Sequence, residues 1–194
     1  SNSKRIKELE KALSVEVETF TPKIFNSKVT AYKYLSDKIM FYLLHKNKDY
    51  MIEREMNLCN NIITDEFINY MYNIIDNKHI DVVQIEFVPF LSLVNALEGK
   101  NVTKVFVHHE LRFIRNKLIL SKIRHAKNYF TYLFEKLKNE EISLLNKFDA
   151  IITLSEIDAK KLKQNGVIIP IFPSFAIVSS HTQSWVYAKY RLTF

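Results

Sequence analysis

The apolar positions of this chain follow two different rhythms on either side of residue 80. In the first stretch, Lys4 to Leu13 sets Ile6, Leu9 and Leu13 on one helical face behind Ser3, a predicted N-cap. Ser14 to Phe20 alternates apolar and polar residues with period two, which predicts a strand ended by Thr21-Pro22. Val29 to His45 and Asp65 to Asp76 read as helices, the second capped by Thr64. Tyr50 to Cys59 reads as helical too.

Beyond residue 80 short apolar runs take turns with helical spacing. DVVQIEF (Asp81 to Phe87), KVFVH (Lys104 to His108) and DAIITL (Asp149 to Leu154) predict strands, and VIIPI (Val167 to Ile171) a last one broken by Pro170. Helices are expected from Pro89 through Leu97, around Leu111, Ile114 and Leu118, from about Lys127 to Asn146, and from a Ser155 cap through Gln164. Gly166 closes the last of these at the usual C-terminal position. Near-continuous apolar strands separated by helices are the mark of buried parallel strands joined by right-handed crossovers. The expected class is α/β, a doubly wound, mainly parallel sheet with helices on both faces. Ligands of such sheets bind outside the carboxyl ends of the strands. That rule selects three clusters: Glu86 and Phe87, His108 to Leu111, and Ser155 with Glu156.

Composition narrows the chemistry. Of 194 residues 47% are hydrophobic, which supplies a packed core and excludes a disordered chain. The two glycines, Gly99 and Gly166, cannot form either glycine-rich phosphate-binding loop. A single cysteine, Cys59, excludes an internal disulfide and any multi-cysteine zinc site, and it reads as an inert thiol. With no signal segment and no long apolar run, the chain reads as cytoplasmic. The formal charge is +7, and the segment 111–127 carries six basic residues and no acid. Arg112, Arg115, Lys117, Lys122, Arg124 and Lys127 are either a solvated helical face or a contact for an anionic membrane or other anion. No nucleic-acid motif accompanies them, so nucleic acid is a disfavoured partner.

At the strand ends, His108, His109 and Glu110 bring two imidazoles and a carboxylate together. Neighbouring side chains of a strand point to opposite faces, so at most one of the two histidines faces the crevice. Such a ring donates to a sugar hydroxyl or a phosphate oxygen, or it caps the next helix. Glu86 is placed to accept from substrate hydroxyls or from backbone amides. Ser155 reads first as a helix cap, with an anion-facing helix terminus as its functional alternative. No third ligand is fixed by spacing, and no metal site is expected.

The ordered set DVVQIEF, KVFVHHEL, FDAIITLSEIDAKKL and IIPIFPSFA resembles the amino-terminal half of retaining glycosyltransferases of family 4, enzymes built from two Rossmann-like domains (the GT-B architecture). The resemblance covers roughly Asp81 to Phe175 by motif and the first 80 residues by element order. It implies that residues 3–178 form a Rossmann-like acceptor-side domain lacking its first strand, followed by a linker at 179–190. Residues 191–194 would then open a donor-binding domain, and the chain would be a fragment, inactive alone, of an enzyme using a nucleotide-sugar donor. The family's histidine at the second strand end falls on His109, the implied catalytic residue. Glu86, His108, Glu110 and Ser155 are the implied substrate-binding residues for a saccharide or lipid-linked acceptor. The basic segment would then lie against the inner face of a membrane. The competing expectation is a non-catalytic module that uses this segment to bind nucleic acid or anionic membrane.

Overall fold

The computed structural model describes residues 28–57 and 63–174, together with positions 7, 8, 10, 11, 16, 17, 20, 192 and 193. Positions 7, 8, 10 and 11 are helical, and three helices follow: α1 (Lys28–Leu44), α2 (Lys48–Met56) and α3 (Asp65–Asn77). The α3 start is fixed as its sequence predicts, the Thr64 hydroxyl accepting from the Phe67 N–H at 3.2 Å. Then β1 (Val82–Glu86) runs into a short 3-10 turn and α4 (Leu93–Ala96), and β2 (Thr103–His108) into α5 (Arg112–Lys122) and α6 (Lys127–Leu145). β3 (Ala150–Thr153), α7 (Glu156–Gln164) and β4 (Ile171–Pro173) follow, and β5 is the pair Leu192–Thr193.

The sheet is parallel throughout, in the order β4-β3-β2-β1-β5. The class is therefore α/β and Rossmann-like. Three successive crossovers step in one direction from β1 to β4, and β5 returns to the other side of β1. Val83, Ile85, Phe106 and Ile151 in the central strands are fully buried. Against them pack Met71, Ile74 and Ile75 of α3 and Phe130, Leu133, Phe134 and Leu137 of α6. Each such side chain contributes about 1.5–3 kcal/mol by leaving water.

Three expectations change. Of the alternating stretch Ser14 to Phe20, the described positions 16, 17 and 20 lie in no strand. The Val17 N–H instead donates to the Glu10 carboxylate at 3.1 Å, and Glu16 pairs with Lys78. Alternation makes a strand only where a ladder partner exists. The last main strand begins at Ile171, not Val167, because Pro170 has no N–H to donate and serves only through its carbonyl, to Ile151. Leu192 and Thr193, read from sequence as opening a further domain, lie beside Val83 and Gln84 in this same sheet. Cys59, the 179–190 stretch and most of the first predicted helix lie outside the described residues. Among the described residues no helix is long and apolar enough to cross a membrane.

Candidate functional site

The carboxyl end of β2 divides its two histidines between the sheet's two faces. β1 and β2 run in register with Ile85 opposite Phe106 and Glu86 opposite Val107. By strand alternation Gln84, Glu86, Val107 and His109 share one side, and Ile85, Phe106 and His108 the other.

On the open side, His109 Nε2 lies 3.3 Å from Glu86 Oε2, with their side chains 33% and 21% exposed. The buried Gln84 amide donates to the other Glu86 oxygen at 2.6 Å, which fixes the plane of the carboxylate. Phe87 stacks on the imidazole with ring centroids 4.6 Å apart and planes 16° from parallel. The Phe87 backbone sits at φ +67°, a conformation that costs a non-glycine residue about 1–3 kcal/mol. That strain turns a half-exposed aromatic ring over the strand ends instead of burying it. With Nε2 against Glu86, Nδ1 is the ring nitrogen on the side away from the carboxylate. A carboxylate, an imidazole and an aromatic face thus stand together where a parallel sheet binds ligands.

On the other side, His108 is buried edge-on against Phe106. Its Nε2 lies 3.4 Å from Glu141 Oε1, in ion-pair range but outside hydrogen-bond geometry. Glu141, 1% exposed, reaches from α6 to accept the backbone N–H groups of Arg112 at 3.3 Å and Phe113 at 3.0 Å. The residue before α5 is Leu111, which has no capping side chain, so Glu141 caps that helix from outside it. The α5 N-terminus is thereby filled by the protein's own carboxylate. Of the two histidines, only His109 faces the crevice.

The other sequence candidates scatter. Glu110 is exposed, its Oε2 lying 3.6 Å from Arg115 Nη1. Ser155 caps α7, accepting from the Asp158 N–H at 3.1 Å and donating to the Asp158 carboxylate at 2.8 Å. The basic segment splits in two. Arg112 donates to the carbonyls of Glu55 and Asn57 at the end of α2, and Arg115 bonds Glu55 Oε1 at 3.1 Å. Burial first, then the neighbouring Arg115 charge, pushes the Arg112 guanidinium down from the ordinary arginine value. Lys117, Lys122, Arg124 and Lys127 are exposed, with no ion pair among the described residues.

Sequence reasoning did not single out Gln84, Glu141 or the acids of α2. Glu141 had a legible signal: it continues the apolar stripe Phe130, Leu133, Phe134, Leu137 and Leu145 on α6, where a carboxylate has no reason to be unless partnered. Among the described residues no group of three or more His, Cys, Asp or Glu side chains could hold a metal ion. Comparison with family models, curated proteins and solved structures finds no match to this chain.

Proposed function

We propose that this domain is the acceptor side of a nucleotide-sugar-dependent glycosyltransferase, transferring a glycosyl group to a saccharide or lipid-linked acceptor. The observation that carries the reading is the Glu86–His109 pair under the Phe87 ring, at the carboxyl end of the parallel sheet. A carboxylate and an imidazole suit hydroxyl-rich ligands, since one accepts from hydroxyls and the other does either. The aromatic face offers an apolar platform for the ring of a sugar. The strand motifs that resemble family 4 glycosyltransferases support the same reading, with His109 as the catalytic residue and Glu86 as a substrate-binding one.

The nucleotide sugar would be held mainly by a donor-binding domain, with the two domains closing over it. The isolated chain is then expected to turn over no sugar nucleotide, and measurable turnover would overturn that expectation. In the parent enzyme His109→Ala is expected to lower kcat by about tenfold or more, the scale of one lost transition-state hydrogen bond. An unchanged kcat in a folded variant rejects the role of His109.

The nucleic-acid alternative loses ground on geometry. Two of the six basic side chains, Arg112 and Arg115, are spent on bonds to α2. A duplex-binding assay across a salt series tests what the other four can do, a steep salt slope being the mark of phosphate neutralisation.

A further inference from the structure

Helices α5 and α6 form a hairpin whose root and tip are distinct. Glu141 of α6 meets the first turn of α5, so the connection at residues 123–126 lies about 16 Å away, at the far end of the 11-residue α5. Helix α2 lies along this hairpin as a brace. Its last carbonyls meet Arg112 and Asn116 near the root, while Asp49 in its first turn meets His125 at the tip and Glu53 takes the Tyr129 hydroxyl. The tip connection is tight enough to force Ala126 to φ +46°.

Between α2 and the tip lies an open depression of about 450 Å³. Its floor is apolar: Ile52 from α2, with Ile119 and Ile123 from the α5 end. Its rim is cationic. Lys122 and Arg124 line it with no ion pair of their own among the described residues. Of the acids close by, Glu55 is paired with Arg115 at 3.1 Å, Asp49 lies against His125, and Glu53 takes the Tyr129 hydroxyl. Lys122 and Arg124 thus set two cations, with no ion pair among the described residues, beside a hydrocarbon surface.

We propose that this depression is a binding site for a single-chain anionic amphiphile, with the phosphate on Lys122 and Arg124 and the first carbons of the chain over Ile52, Ile119 and Ile123. The chemistry needs both halves. Free phosphate would find two solvated cations without a built cradle, and a neutral chain would leave them uncompensated. The site is separate from the Glu86–His109 pair and stands whether or not the chain belongs to a glycosyltransferase.

The test titrates the full chain with dodecyl phosphate below its micelle concentration, followed by calorimetry and by the methyl resonances of the three isoleucines. Saturable binding that shifts those methyls is expected. Inorganic phosphate and dodecyl maltoside should each bind more weakly by about tenfold or more, and so should dodecyl phosphate to the Lys122→Ala/Arg124→Ala variant. Both replaced side chains are exposed, so the variant should keep its circular dichroism and urea midpoint. Equal binding of inorganic phosphate, or an unchanged affinity in the double variant, overturns the proposal. Binding to anionic vesicles without binding to the soluble amphiphile also overturns it, and assigns the cations to a membrane surface instead.

Discussion

His108 and His109 are neighbours in sequence, and each lies beside a glutamate at nearly the same distance, 3.4 Å and 3.3 Å. The two pairs nevertheless do different work. The inner pair has side chains 0% and 1% exposed, and its carboxylate terminates a helix. The outer pair is partly open and lies under a strained aromatic ring. Distance alone would rank the two contacts as equals. Burial and the remaining partners of each carboxylate separate them: the inner one caps a helix inside the core, and the outer one stands partly open to solvent between Gln84 and His109. A strand end divides labour in this way because alternation sends one residue inward and the next outward.

The largest expected effect comes from breaking the inner pair. Glu141→Ala removes the acceptor for two amide N–H groups of α5 and leaves a gap beside the buried His108 ring, so a loss of about 2–5 kcal/mol is expected by urea unfolding. Glu141→Gln keeps the volume and one acceptor oxygen and should lose about 1–2 kcal/mol. A loss below about 1 kcal/mol for the alanine variant would mean that the cap is dispensable and the contrast between the two pairs empty.

How much of this could be read beforehand follows from which signals are local. Buried strands declare themselves as apolar runs, and Thr64 and Ser155 declare helix starts by residue type, so the sheet and most helix boundaries were legible. The outer pair was half legible: alternation allowed only one histidine in the crevice, but which one depended on the register between β1 and β2. The brace was not legible at all. Glu55 and Arg115 are 60 positions apart, and nothing near either names the other. The same distance misled the reading of the basic segment as one uniform face, when a third of its cations close the end of another helix.

That brace offers the next test. Asn116 is buried and its amide donates to the Met56 carbonyl at 2.9 Å, while its own oxygen has no hydrogen-bond partner among the described residues. Asn116→Ala removes a cap from α2 and an orphaned acceptor together, so a net loss of about 1 kcal/mol is expected. Amide exchange across Lys48–Met56 should quicken more than exchange in β1 or β2, and uniform quickening would show that α2 is part of the central cooperative unit.

The outer pair should hardly register in stability. His109→Ala and Glu86→Gln are each expected to shift unfolding by no more than about 0.5 kcal/mol, because both groups remain in contact with water. Loss of 2 kcal/mol or more, on the scale of the inner pair, would reclassify Glu86 as a second fastening and weaken its claim as a ligand group.

A third glutamate extends the series to the open surface and to the smallest effect. Glu98, exposed, takes the Lys147 ammonium at 2.7 Å, and this hydrogen bond, with the Lys147 charge behind it, holds the carboxyl below its ordinary range. A carboxylate with a depressed folded pKa stabilises the protein above its unfolded pKa, and the contribution fades as pH falls through the folded value. Wild type and Lys147→Ala should therefore differ most near neutrality and converge in acid, in urea midpoints measured across pH. Because the pair is solvent-screened the difference should also shrink in high salt. A difference that survives salt would mean that Lys147 acts mainly through Asn95, whose side-chain oxygen it also bonds at 2.8 Å, joining the helix ends before β2 and β3. In that case the ranking of these carboxylates by burial would need the neutral partner added beside each charge.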